Sequence, residues 1–231
     1  MKYNDIHFFL DEKHYSLITE LTHQQLDDMF GLDFALMQGY SQNNPHHCYS
    51  LLEHTLQTLL ALDCDGLSDS ERLELQIAAL YHDVGKPKVA FEKNGKTVFY
   101  NHAKTSKEIV EKELRSSGVD EHTIDKICFF VEYHDMFISF KLSNEIQAPN
   151  NPYIKKINVP NVKEEIKKVI NDQEKKGEFV PSYHDFAVLL RLCCADAWAQ
   201  SEKVIENGQE IDSKERKLKR LKEISRIIEK L

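Results

Sequence analysis

Glycine and proline are scarce in this chain. The 231 residues include 8 glycines and 6 prolines, too few for the many tight turns of an all-β fold. The five cysteines are an odd number and form no C-x-x-C pair, which points to a reduced, intracellular protein rather than a disulfide framework. Long hydrophobic runs are also missing. The most apolar stretch, Phe186 to Ala199, is broken by Arg191 and Asp196, so no segment is expected to span a membrane. Met1 to Asp11 carries charges and has no apolar signal-peptide core, which makes the cytoplasm the expected location. Positive charge is in deficit, with 30 Lys and Arg against 38 Asp and Glu, a net charge of −8. That balance weighs against a globally basic nucleic-acid binder; contact with RNA is compatible only through a local basic patch. No internal repeat or low-complexity tract is present.

What remains is helical in character. The chain is 41% hydrophobic and 29% charged, suited to one globular domain with appendages. Leu, Lys, Glu and Ile dominate and favour helix over sheet. The expected fold class is all-α, with one small β-hairpin near residues 89–100 as its only strand pair. Asn94-Gly95 between two short alternating runs is the signal for that hairpin.

Residues 1–43 read as an extension of two or three short helices, with Tyr15 to Phe30 apolar at helical spacing and closed by Gly31. His7, His14 and His23 read as surface or packing residues. A polar loop ending in Pro45 precedes a helix expected from about His46 to Leu62, on which His47, Leu51 and His54 share a face. Ser68 with Glu71 forms a capping box for the helix that delivers His82-Asp83. Gly85 fits a helix C-terminus and Pro87 blocks continuation. Helices are expected over Lys104 to Ser116, from Asp120 or Thr123 to His134-Asp135, and from Asn161 to about Lys175. Between them, residues 137–160 read as a long loop marked by Asn150, Asn151, Pro152 and Pro160, of the kind that often covers a site. Ser182 with Asp185 opens the apolar helix that carries Asp196, and Ser213 to Leu231 reads as an amphipathic helix packed on the domain or on a partner.

Chemistry concentrates in a few polar residues set in apolar surroundings. His82-Asp83 ends a helix that reads as buried, where a charged pair needs partners. Imidazole with carboxylate suits Mn, Fe, Co, Ni or Zn, with Mg where carboxylate and water dominate. Lys86 follows four residues after His82 and can offer charge to a phosphate, and Gly85 permits close backbone approach. Asp196 in its apolar helix needs a cation, either a metal or a base such as Arg191. Two further His-Asp pairs occur, His134-Asp135 and His184-Asp185. Asp185 reads as a capping residue instead, and Cys193 and Cys194 as helix packing.

Five stretches together resemble the HD-domain superfamily of metal-dependent phosphohydrolases: Asn44 to Thr55, Ala79 to Pro87, Phe99 to Ser106, Val131 to Asp135, and Leu192 to Gln200. They are most similar to the HD domain attached to bacterial tRNA nucleotidyltransferases. The resemblance spans residues 44–200 and leaves 201–231 as a C-terminal helix. It implies an HD helical bundle in which His54, His82, Asp83 and Asp196 hold one metal, with Asp83 bridging to a second held by His102 and His134. It further implies that Lys86 contacts the substrate phosphate, with Asp83 and Lys86 as the catalytic pair. His47 would be a substrate contact or else a surface residue at a helix start. Asp135 would orient a ligand or a water. The cofactors expected are two divalent ions (Mn, Fe, Ni, Co or Mg).

The function this implies is hydrolysis of a phosphate mono- or diester of a nucleotide or related small phosphate, such as a 2′,3′-cyclic phosphate, by metal-activated water. Two other readings use the same residues: a di-iron oxygenase similar to myo-inositol oxygenase, and a non-catalytic nucleotide- or RNA-sensing module. Only 43 residues precede the resemblance, too few for a nucleotidyltransferase catalytic domain, so no CCA-adding activity is expected. The Gly-Tyr-Pro that follows the HD in cyclic-di-GMP hydrolases is absent. Segment 136–181 carries none of these five matching stretches and is a candidate for setting substrate choice. An oligomer is compatible with the sequence.

Overall fold

The computed structural model describes residues 15–146, 153–206 and 208–231. His7, His14, the charged start of the chain and the Asn150 to Pro152 part of the expected loop lie outside them. The fold is all-α, with strands confined to small pairs. Helix α1 (Leu17–Glu20), α2 (His23–Phe30) and α3 (Leu32–Ala35) open the described chain. Helix α4 (Leu51–Leu60) and α5 (Asp69–Tyr81) follow, then the short α6 (Lys86–Val89). Strands β1 (Phe91–Lys93) and β2 (Lys96–Val98) lead to α7 (His102–Ser116) and α8 (Glu121–Tyr133). Next come β3 (Phe140–Lys141), β4 (Lys155–Lys156), α9 (Val159–Lys176) and α10 (Tyr183–Trp198). Strands β5 (Lys203–Glu206) and β6 (Gln209–Asp212) precede α11 (Ser213–Ile228).

Capping chemistry sets several starts. Ser68 with Glu71 and Ser182 with Asp185 are reciprocal boxes, as the sequence predicts, each N-cap worth about 1 kcal/mol. The β1–β2 hairpin pairs Phe91 with Val98 and Lys93 with Lys96. Asn94 and Gly95 both take positive φ, 54° and 72°, as a type I′ turn requires.

Four local expectations need correction. Residues 44–50 are not helical: Asn44 Oδ1 accepts from His46 N at 3.0 Å, a turn that competes with helix, and Ser50 with Glu53 starts α4 at Leu51. The hairpin near 89–100 is not the only strand pair. A second antiparallel hairpin joins β5 to β6, and a two-residue parallel pair joins β3 to β4. Pro160 opens α9 rather than closing a loop, because Asn158 caps the helix and proline is tolerated in a first turn. Pro87 does the same for α6.

One contiguous core runs from Tyr15 to Ile228 and includes the fully buried Phe30, Phe34, Tyr81, Phe129, Phe130 and Phe186. Helices α7 and α8 pack together, α8 packs on α5, α10 on α4, and α11 on α10. The last contact buries Leu221, Ile224, Ile227 and Ile228. Among the described residues no helix is long and apolar enough to cross a membrane.

Candidate metal centre

Two of the key histidines occupy the same local position. His82 and His134 each cap the C-terminus of an apolar helix, α5 and α8. Each donates Nδ1–H to the carbonyl three residues back, Ala79 at 2.8 Å and Val131 at 2.7 Å. The bond satisfies an otherwise orphaned last-turn carbonyl and fixes the ring. His102 is brought in differently. Three residues past β2, Asn101, whose backbone is left-handed (φ 63°), turns the chain into α7 with His102 as its first residue. Its Nδ1 donates to Phe99 O at 2.9 Å. His54 lies mid-helix on α4 and donates Nδ1–H to Ala199 O, 3.1 Å away just past α10.

All four rings therefore spend Nδ1 on a backbone carbonyl. A carbonyl can only accept, so Nδ1 carries the proton and Nε2 is left facing inward as a ligand atom. Nε2 of His54 lies 3.0 Å from Asp196 Oδ1 and 3.4 Å from Asp83 Oδ2. Nε2 of His82 lies 3.2 Å from Asp83 Oδ2. On the other side, His102 Nε2 is 3.2 Å and His134 Nε2 is 3.7 Å from Asp83 Oδ1. The ligand atoms of His54, His82 and Asp196, and those of Asp83, His102 and His134, each lie within 4.8 Å of one another. The structure thus brings together all six residues that the family resemblance implies as metal ligands.

The residues present fit divalent ions. Nε2 of His54, Nε2 of His82 and Oδ1 of Asp83 are buried and make no well-aligned hydrogen bond. A buried polar atom left this way costs about 1–3 kcal/mol, a sizeable sum against a typical total stability of about 5–15 kcal/mol. Nε2 of His102 and Nε2 of His134 face each other at 3.2 Å. With both Nδ1 atoms already donating, these lone pairs repel unless a proton or a cation lies at that point. The mixed imidazole and carboxylate donors suit a first-row transition ion.

The electrostatics show the same demand for positive charge. Burial pushes the His54 pKa down, but the carboxylates of Asp196 and Asp83 outweigh it and hold it at about 9. Burial also opposes the shift of His102, which the Asp83 carboxylate raises. His134 moves the other way, lowered chiefly by burial. Asp83 and Asp196 are both held well below the usual carboxylate range despite burial: Asp83 by the charges of His82 and Lys86, Asp196 by the His54 ring 3.0 Å away.

The remaining predicted site residues sit around this cluster. Lys86 is buried, and its Nζ lies 2.7 Å from Asp83 Oδ2 and donates to Gln42 Oε1 at 2.9 Å. His47 stands edge-on to His54 with ring centroids 5.1 Å apart, held by the 44–50 turn rather than by a helix face. Burial first, and Lys86 second, drive its pKa down to about 2. Asp135 is 38% exposed and approaches His102 Nε2 to 3.4 Å. Arg191 does not neutralise Asp196; it donates to the carbonyls of Asp63 and Asp65. His184 lies away from the cluster, 2.6 Å from Glu71 Oε1, with Asp185 capping α10.

Two features escaped the sequence, Gln42 and Gln200, and the close approach expected at Gly85 is to the start of α7. Gln42 is 2% exposed, braces Lys86 through Oε1 and leaves its Nε2 without a partner. Gln200 Nε2 donates to both oxygens of Asp196, at 3.1 and 3.2 Å. Gly85 faces the first turn of α7 so closely that a Cβ there would meet Ser106 N at 2.6 Å and His102 O at 2.7 Å. Its φ is −79°, so space and not backbone freedom requires the glycine. The isolated glutamines carry no pattern by which they could have been found.

A family model described as the HD domain matches residues 47–171. No curated protein matches the chain. The family match covers five of the six clustered residues, while Asp196, on α10, lies beyond its end.

Proposed function

The chain belongs to the HD domain family of metal-dependent phosphohydrolases, and we propose that it cleaves a phosphate mono- or diester of a small phosphorylated substrate at a two-metal centre. The observation that carries this reading is the carboxylate of Asp83, whose two oxygens face two separate sets of histidines, one on each side.

His54, His82 and Asp196 would hold one ion, His102 and His134 the other, and Asp83 both. Two divalent ions held there supply a water of lowered pKa and neutralise charge on the phosphoryl oxygens. Asp83 fixes the spacing of the two sets. Lys86 keeps a buried positive charge beside that carboxylate, where it can take a phosphoryl oxygen. His47 stays neutral and offers a hydrogen bond without competing charge. Asp135 sits at the exposed edge of the cluster and orients a water or receives its proton. No side-chain nucleophile is required. Cys193 is buried and burial holds its thiol pKa well above the ordinary value, so it stays protonated.

The likeness of the motifs to the HD domain of bacterial tRNA nucleotidyltransferases favours a nucleotide or a 2′,3′-cyclic phosphate as substrate. Cytoplasmic substrates of this kind need no membrane contact. The test is a panel of phosphatase and phosphodiesterase substrates with added Mn, Ni, Mg or Co, run beside Asp83→Ala. Metal-dependent turnover lost in the variant supports the reading. Tightly bound iron with oxygen-dependent turnover and no hydrolysis would replace it with the oxygenase reading. Ligand binding that survives in Asp83→Ala, with no turnover in either protein, would replace it with the sensing module.

A further inference from the structure

Beside the cluster lies a cavity of about 90 Å³ whose wall includes His134, Asp135 and Asp196. The cavity thus borders ligands from both halves of the cluster. Its lining also includes Phe137 and Ile138, and Lys217, Arg220 and Leu221 of α11. Whole small-molecule sites occupy roughly 300–1,000 Å³, so this volume suits one compact group, of phosphoryl size.

The cations lining the cavity or standing near it differ in their commitments, and Lys141 in its lining donates to the Ile138 carbonyl at 3.4 Å. Arg220 is locked in a two-pronged pair with Glu145, at 2.8 and 3.0 Å. Lys86, the cation nearest the ligands, is buried and held by Asp83 and Gln42. Lys217 is different: it donates to the neutral Oε1 of Gln200, and no carboxylate among the described residues stands within salt-bridge distance of it. Burial lowers its pKa, against the opposing pull of the Asp196 and Asp135 charges. A half-buried ammonium with only an amide oxygen as partner lacks a counter-ion.

We propose that Lys217, on the C-terminal helix, is a substrate-binding residue that pairs with an oxygen of the phosphoryl group seated in this cavity, an inference that rests on the phosphohydrolase reading. Position 217, like Asp196, lies beyond the residues the HD family model matches. Gln200 links it to the metal side, holding Asp196 with Nε2 and Lys217 with Oε1.

The test uses the full chain loaded with Mn²⁺, as wild type, Lys217→Met and Lys217→Arg. Methionine keeps the apolar stem, and melting temperature checks folding. Calorimetric binding of inorganic phosphate, turnover of para-nitrophenyl phosphate and bound-metal content are measured for each. Loss of one charge-assisted bond should raise Kd for phosphate and KM roughly tenfold in Lys217→Met, with kcat and metal content retained and with Lys217→Arg restoring much of the binding. Unchanged Kd and KM in an active protein would overturn the Lys217 role alone. A fall in kcat and metal content at constant KM would also overturn it, assigning Lys217 to the bracing of Gln200 and Asp196. A wild type that neither binds phosphate nor turns over any phosphate ester would sink the phosphohydrolase reading and this role together.

Discussion

Oδ1 of Asp83 lies 3.2 Å from Nε2 of His102. The other oxygen of the same carboxylate lies 3.2 Å from His82 Nε2 and 3.4 Å from His54 Nε2. One side chain therefore belongs to both halves of the cluster, and its loss should damage both. Asp83→Ala is expected to lose metal from both sites and to lower kcat/KM by well over about 100-fold, the upper range for disturbing a residue that only supports a ligand. His102→Ala should empty one site and leave the other. Metal content per chain, measured by plasma emission after dialysis, separates the two outcomes. An Asp83→Ala protein that keeps one full equivalent contradicts the shared role.

Stability of the metal-free protein should peak near pH 6.5. His54 is raised from 6.5 to about 9 in the fold, and His102 is raised too. Their stabilisation is complete below pH 6.5 and is lost as pH rises through about 9. His47 is lowered to about 2 and His134 is lowered also, so their contribution is present above pH 6.5 and is lost as pH falls below it. Melting curves in EDTA from pH 4 to 10 should trace this bell. Added Mn²⁺ should flatten the alkaline side, because it replaces the proton on His54. A melting temperature that climbs steadily from pH 6.5 to 9 in EDTA would count against the cluster as described.

Gly85→Ala should be destabilising without meeting a ligand atom. The new methyl would press on Ser106 N and His102 O, backbone atoms of the first turn of α7 that cannot rotate away. Overpacking of this kind costs about 1–3 kcal/mol. Since the displaced turn carries His102, metal affinity should fall with stability. Urea unfolding with metal titration reads both, and an unchanged midpoint would contradict the close approach.

Gln200→Ala should weaken metal binding by about 10- to 100-fold while the protein stays folded. The amide orients Asp196 through both of its oxygens, and partners of this kind typically matter on that scale. By contrast, His184→Ala should leave metal content unchanged and shift stability by less than about 1 kcal/mol, since its pair with Glu71 is solvent-facing. Titration with Mn²⁺ followed by calorimetry distinguishes the two variants. Equal losses in both would contradict the assignment of the three His-Asp pairs.

Much of this was legible in the residues, for physical reasons. Ser68 with Glu71 and Ser182 with Asp185 announce helix starts because their bonds are local. His82 and His134 stand out because each follows an apolar helix whose last carbonyls need a donor. The second hairpin was legible too and was missed: Asn207-Gly208 between Val204-Ile205 and Ile211 repeats the signal of Asn94-Gly95. The start of α4 differs from the sequence expectation because the Asn44 turn and the Ser50 box compete with a helix pattern that His47 joins by spacing alone. The bracing by Gln42 and Gln200, and the approach of Lys217 across α10 and α11, depend on tertiary packing. No local pattern marks a glutamine that will meet a carboxylate, or a lysine that will not.

The count of bound metal most directly tests the central claim. Wild-type protein equilibrated with Mn²⁺, freed of excess ion and analysed beside Asp83→Ala should hold two ions per chain, and the variant close to none. A wild type that saturates at one ion, or an Asp83→Ala variant that still holds one full equivalent or more, would contradict a centre joined by that carboxylate.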